Sequence, residues 1–270
     1  MRTANRPVVT DRAEFPDGAQ AGLRVASYNI HKGLSFFNRH MVVHELKDRL
    51  RAMNADIVFL QEVQGEHAGR AGRFEGWPDE PQYEFLADGI WTDMAYGKNA
   101  VYDHGHHGNA ILSHYPILCW ENIDISSHAY ESRGLLHCEL KVPGLDQPLH
   151  AICLHLALHE QGRRRQLEHI SRHIRDLVPD DAPLIMAGDF NDWRRRAPAY
   201  LTHELGLKEV FETAHGRPAL SFPAVMPMFA LDRIYVRGFK VVSAKVLHGP
   251  AWRKLSDHAA LTAHLSPMPA

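Results

Sequence analysis

Acid, amide and imidazole side chains stand where the apolar runs of this 270-residue chain stop. Asn29 closes LRVASYNI, Glu62 closes ADIVFLQE, and His155 lies near the end of PLHAICLHL. Asp189 and Asn191 follow the apolar PLIMAG run, Asp232 begins a further apolar segment, and Asp257 with His258 opens the last one. Alone, an Asp or Asn in such a place is a turn former or a cap. Six endings of this kind in one chain ask for a shared reason. Buried or half-buried carboxylates cost free energy unless they are paired or hold a cation, and oxygen-only ligands suit a hard ion such as Mg2+.

The elements that must position these residues are legible as periodicities. Segments 23–30 and 55–62 are β-rich, and between them Val42, Leu46, Leu50 and Met53 recur at helical spacing. Segments 109–113, 116–125, 134–142 and 148–156 follow with turn residues between them, the pattern of adjacent antiparallel strands. Residues 161–178 repeat Leu167, Ile170, Ile174 and Leu177 on one helical face. Arg163, Arg164 and Arg165 then read as a solvated helix start rather than a nucleic-acid patch. Strands are expected at 182–192, 229–238 and 258–265. No repeat or long linker divides the chain. The expectation is one α/β domain over 23–265, two packed, mainly antiparallel sheets with helices outside, between a leader of 1–22 and a short tail of 266–270.

Composition sets limits. With 30 Lys+Arg against 32 Asp+Glu and a net charge of -2, the chain does not hold nucleic acid by bulk positive charge. An anionic substrate must instead meet a local cation or a bound metal. Cys119, Cys138 and Cys153 are isolated and odd in number, so neither a disulfide framework nor a cysteine zinc site is indicated. The first twenty-two residues carry charges, Pro and Gly where a signal peptide needs an apolar run, and no stretch approaches a membrane span. These features predict a cytoplasmic protein, with contact to a membrane surface left open.

In order along the chain, SYNIH (27–31), VFLQEV (58–63), GNAILS (108–113), SRGLL (132–136), LHL (154–156), GDFN (188–191), LDRIYV (231–236) and SDHAAL (256–261) resemble the endonuclease/exonuclease/phosphatase family, also called the deoxyribonuclease I-like superfamily. Each motif is short; their order and spacing carry the resemblance. It implies a four-layer α/β sandwich and metal-assisted hydrolysis of a phosphate ester. It implies Mg2+, with Mn2+ as a substitute, held mainly by Glu62 with Asn29 and Asp257 beside it. Asp189 resembles the residue that orients or deprotonates the attacking water, and Asn191 the amide beside it that contacts the phosphate. Asp232 would fix the tautomer of His258 and favour its imidazolium, which stabilises the phosphoryl group or donates a proton. His155 resembles a second histidine of the nuclease and sphingomyelinase branches.

Arg133, in SRGLL, matches a position near the substrate, where its planar donor fork suits phosphate. Asn109 is either a cleft residue or a turn-forming amide. The DHGHHG run (103–108) offers His104, His106 and His107 as zinc ligands, but Gly105 and Gly108 mark a turn, and the resemblance instead sets His106 or His107 against substrate phosphate. Phe222, Val225, Met226, Met228 and Phe229 surround two prolines just before Asp232, and Trp252 lies close to Asp257. They are either core or an apolar pocket wall able to stack a base, hold an acyl chain or touch a membrane. The expected activity is a Mg2+-dependent phosphodiesterase or nuclease acting on DNA or another nucleic acid. The alternative is a phospholipid or small-molecule phosphodiesterase or phosphatase. A binding module that has lost catalysis is disfavoured, because Glu62, Asp189, Asn191, Asp232, Asp257 and His258 are all present.

Overall fold

Strands buried on both faces explain the long apolar runs. A computed structural model describes residues 22–35, 40–67, 69, 72–128, 131–194 and 197–268, and the expected leader lies outside them except for Gly22. The strands are β1 (Leu23–Asn29), β2 (Ile57–His67), β3 (Asp93–Tyr102), β4 (Gly105–Ser113), β5 (Ile117–Asp124) and β6 (Gly134–Leu140). They continue with β7 (Leu149–His155), β8 (Leu184–Asp189), β9 (Lys208–Glu209), β10 (Asp232–Arg237), β11 (Phe239–Leu247) and β12 (Ala260–Pro267). The helices are α1 (Val43–Ala52), α2 (Gln82–Ala87), α3 (Glu160–Leu177), α4 (Ala197–Leu205) and α5 (Val210–His215).

One six-stranded sheet has the order β11-β12-β1-β2-β4-β3 and the other β5-β6-β7-β8-β10-β9. All pairings are antiparallel except β1 with β2 and β7 with β8, the central pair of each sheet. A parallel pair needs a crossover, and α1 and α3 supply the two. Val25, Ile57, Phe59 and Ile111 of one sheet meet Leu136, Cys138, Ala151, Cys153, Ile185 and Ile234 of the other in the central core. The outer faces pack under helices: Val43, Leu46 and Leu50 of α1 against the first sheet, and Leu167, Ile170 and Ile174 of α3 against the second. The result is helices, sheet, sheet, helices, the expected four-layer sandwich.

Period-2 alternation then decides where the functional side chains point. Asn29 continues the inward set of Val25, His155 that of Ala151 and Cys153, Asp189 that of Ile185 and Ala187, and Asp232 that of Ile234 and Val236. Since β1, β2, β7 and β8 run in two parallel pairs and β10 starts opposite the end of β8, these residues emerge at strand ends beside the gap between the sheets.

Several expectations need correction. Glu62 does not end its strand: β2 runs on to His67 through a bulge between Leu60 and Val63, and Glu62 takes φ +54° there. The last strand extends to Pro267, so the expected tail begins inside it. His106 and His107 lie on β4, because only Asp103 and His104 form the turn. Leu177 is 54% exposed, and Val178 takes the buried place instead. Arg163 is buried, not solvated: its guanidinium donates to the carbonyls of Ala157 and Leu158, tying α3 to the end of β7.

Buried carbonyls stripped of a donor are destabilising by about 1–3 kcal/mol. Arg163→Ala is expected to lower unfolding free energy in urea by about that amount, while Arg164→Ala, whose side chain is exposed, leaves it unchanged. Equal unfolding midpoints for the two variants would contradict the buried role of Arg163.

Candidate active site

Asp189 lies at the centre of the strand-end residues. Its Oδ2 accepts from Asn29 Nδ2 at 3.2 Å and faces His155 Nε2 at 3.5 Å and His258 Nε2 at 3.7 Å. Its Oδ1 accepts from the Asn191 backbone N–H at 2.9 Å, and the Asn191 side-chain amide donates to Leu156 O at 3.0 Å. Gly188 lies beneath, at φ +154°, where an added Cβ would meet Leu154 O at 1.9 Å, so only glycine lets β8 close on β7 at this point. Behind His258, Asp232 Oδ2 lies 2.8 Å from Nδ1, which leaves Nε2 facing Asp189. Ser256 clamps the loop: its hydroxyl donates to Asn29 O at 2.6 Å and accepts from the His258 backbone N–H at 3.2 Å.

Beside this group, Glu62 pairs with Lys32 Nζ, and Asp257 Oδ1 lies 3.3 Å from His31 Nδ1. His31, Lys32, Glu62 and Asn191 all have positive φ, between 46° and 60°. Such conformations cost of order 1–3 kcal/mol each where they are strained, and non-glycine residues hold them when the surroundings fix them. Glu62 and Asp257 keep 17% and 18% of their side-chain surface accessible, and with the Asn29 amide oxygen they offer only oxygen. That donor set fits a hard divalent cation, which keeps several waters and needs few protein ligands. Asp189, Asp232 and His258 also converge, within 4.8 Å, but the Asp232–His258 bond already joins two of the three.

Charge is apportioned unevenly. Burial opposes the charged form of His258, yet the Asp232 and Asp189 charges and the Asp232 hydrogen bond prevail and raise its pKa to about 10. His155 goes the other way, pushed down to about 4 by burial and by the Arg133 charge. Burial pushes the Asp189 carboxyl up, with the two histidines pulling against it. At Glu62 burial also works against ionisation, but Lys32 and His155 outweigh it and hold the carboxyl well below the usual range. The site thus pairs an imidazolium with a neutral imidazole across one buried carboxylate.

Other residues singled out from the sequence fall in different places. Arg133 sends its charge to His155, and its buried Nε has no hydrogen-bond partner among the described residues. Asn109 is buried, and its amide donates to Gly134 O at 2.9 Å and Cys153 O at 3.4 Å, pinning one sheet to the other. His107 packs against Tyr102 and His106 against Tyr96, along β4 rather than around Asp189. Val225, Met226, Met228 and Phe229 are exposed, and Phe222 sets its ring 4.9 Å from His258, so this loop forms an apolar wall beside the site. Trp193 extends it, 4.8 Å from Phe229. Trp252 packs edge-on to Tyr28 at 6.0 Å. His31, Lys32, Ser256 and Trp193 were not legible as site residues. Their signals are adjacency to Asn29, Asp257 and Asn191 and, for His31 and Ser256, a place inside SYNIH and SDHAAL.

A model of the Endonuclease/Exonuclease/phosphatase family matches residues 26–258. The chain belongs to this family. Membership makes it a phosphoesterase-type hydrolase of a generally divalent-metal-dependent class, and the oxygen donors at Glu62, Asp257 and Asn29 accord with that class. It is 47% identical over 252 residues to an Escherichia coli K12 protein described as "Uncharacterized protein YbhP", covering 93% of this chain and 99% of that one. Its fold is similar to that of an endonuclease/exonuclease/phosphatase from Beutenbergia cavernae, at TM-score 0.73 and 19% identity over 92% of this chain and 72% of the other. A mannosyl-6-phosphatase from Bacteroides thetaiotaomicron is similar at TM-score 0.67 and 17% identity, over 90% of this chain and 99% of that one.

The pairing of His258 with Asp232 has a pH consequence. An imidazolium required for turnover is lost as pH rises through its pKa, about 10 here, so kcat/KM is expected to fall on the alkaline side near that value. Asp232→Asn removes the adjacent charge and should move the alkaline limb down by at least about 1 pH unit. A limb that stays in place in the folded variant would detach His258 from the reaction or from Asp232.

Proposed function

We propose that the chain is a Mg2+-dependent phosphodiesterase acting on nucleic acid, with Glu62, Asp257 and the Asn29 amide oxygen as the metal site. The observation that carries this reading is the buried Asp189 carboxylate, faced by two histidines and an amide beside a pair of accessible carboxylates. The bound ion, Mg2+ or Mn2+, would supply Lewis-acid polarisation of a phosphoryl oxygen and offset charge on the leaving oxygen. Asp189, fixed through both oxygens, orients the attacking water and takes its proton. His258, with its Nδ1 held by Asp232, presents Nε2–H to the charge that builds on the phosphoryl group. His155 supplies a neutral imidazole on the other side of Asp189, and Arg133 a guanidinium for a non-bridging oxygen. Asn191 contacts the phosphate beside them. Asn109, from between the sheets, and His107, from β4 beside Tyr102, complete the proposed substrate-binding set.

The aromatic surface of Trp193, Phe222 and Phe229 beside His258 supports a nucleic acid, because bases stack on such side chains without bulk positive charge. The exposed aliphatic Val225, Met226 and Met228 favour a second reading, a phospholipid or small phosphate ester. Among the described residues no helix is long and apolar enough to cross a membrane.

A screen with Mg2+ across plasmid DNA, abasic and single-stranded oligonucleotides, RNA, phospholipids and small phosphate esters tests the assignment. Nucleic-acid cleavage that stops with EDTA and returns with Mg2+ is expected. Hydrolysis confined to lipids or small esters would replace the substrate, and no hydrolysis of any of them with Mg2+ or Mn2+ would remove the reading. In calorimetric titration, Glu62→Gln is expected to weaken Mg2+ binding together with activity while folding survives, because the amide keeps the shape and loses the charge. Unchanged Mg2+ affinity would take Glu62 out of the metal site.

A further inference from the structure

A second cluster of metal-binding side chains lies on the other face of the second sheet. Leu136 and Cys138 of β6 point into the central core, so His137 points outward, towards α3. By the same alternation His150 faces outward from β7, flanked by the inward Leu149 and Ala151. Glu121 of β5 pairs directly with His137 in the strand register. His173 comes down from the buried face of α3, one turn beyond Ile170. Three neighbouring strands and the covering helix therefore deliver one imidazole or carboxylate each to a single place.

Their atoms converge. His137 Nδ1 lies 2.9 Å from His173 Nε2, and Glu121 Oε1 is 3.9 Å from the first and 3.7 Å from the second. A circle through three points so separated has a radius of about 2.1 Å, which is the length of a zinc–nitrogen or zinc–oxygen bond. Behind this triangle, His150 Nδ1 lies 2.9 Å from His137 Nε2. With His150 Nδ1 as acceptor, His137 donates from Nε2 and turns the lone pair of Nδ1 to the centre, the arrangement that orients a metal-bound imidazole. His137 and His150 are each 5% exposed and His173 is 9% exposed, while the Glu121 side chain is 50% exposed and opens the place to solvent.

We propose that Glu121, His137 and His173 form a structural binding site for a borderline divalent transition metal of the Zn2+ class, with His150 orienting His137. Imidazole nitrogen with one carboxylate suits Zn2+ and disfavours Mg2+, so this site and the Glu62 site are expected to take different ions. Water entering beside Glu121 completes a four-coordinate shell. His150 and His155 are five residues apart on β7, about 17 Å along an extended strand, and they face opposite sides of the sheet. The site is thus separate from the Asp189 group. An ion there would pin α3 to β5, β6 and β7, so its contribution is to stability rather than to the reaction.

The test uses the full-length chain carrying Glu62→Gln, which weakens the proposed catalytic metal site, stripped with EDTA and titrated with Zn2+ by calorimetry and with Co2+ by visible absorption. One ion per chain is expected, with nitrogen-ligated Co2+ bands and a Tm that rises with Zn2+ concentration. Adding His173→Gln or Glu121→Gln should each weaken Zn2+ binding by at least about tenfold and abolish the Tm response, and His150→Ala should weaken it by about 10–100-fold. Glu121 is half exposed, so Glu121→Gln tests the site even if the histidine variants fail to fold. No binding, or binding whose affinity is unchanged by Glu121→Gln and by any folded His173→Gln protein, would overturn the proposal and leave the imidazoles as a hydrogen-bonded chain alone.

Discussion

Asp189 keeps a carboxylate at a depth where it is 1% exposed, and that is possible only because Asn29, His155, His258 and the Asn191 amide surround it. These partners come from both sheets. A buried charge that lost one of them would be destabilised by several kcal/mol, so the relative placement of the sheets is tied to this carboxylate. The parallel pairs β1/β2 and β7/β8 make the convergence geometrically simple, because each brings two carboxyl ends to one side of its sheet. Ser256 and Asn109 then lock loop and sheets together at the same end.

The same placement separates the roles of two chemically identical side chains. His258 lies against two carboxylates and is held as imidazolium; His155 has Arg133 as a neighbour and stays neutral. Both face one oxygen of Asp189. Positive φ at His31, Lys32, Glu62 and Asn191 shows where the backbone is bent to bring groups inward that an ordinary strand or turn would leave elsewhere. At Glu62 the bulge in β2 does this work, re-aiming the residue after the inward set of Ile57 and Phe59.

The central strands were legible in the sequence because burial on both faces turns them into unbroken apolar runs, and a polar residue at the end of such a run is conspicuous. Asn29, His155, Asp189 and Asp232 stand out for that reason. Edge strands β3 and β11 carry no such signal, because DMAYGKNAVY and FKVVSAKVL mix polar residues on their exposed faces. The short α2 and α5, of six residues each, are too brief to show a helical period. A run of three arginines reads as solvated, whereas the carbonyls that capture Arg163 belong to the loop before α3. Glu121, His137, His150 and His173 are spread over more than fifty residues, and only strand register and the docking of α3 bring them together.

In the proposed reaction the Asp189 carboxylate prepares the attacking water. Steady-state kinetics of Asp189→Asn, on the substrate the wild type cleaves with Mg2+ and with folding checked by circular dichroism, test it most directly. The amide keeps the size of the side chain and removes its basicity, so kcat is expected to fall by at least about a hundredfold with KM nearly unchanged. A folded Asp189→Asn protein that turns over at close to the wild-type rate would show that Asp189 does not prepare the water.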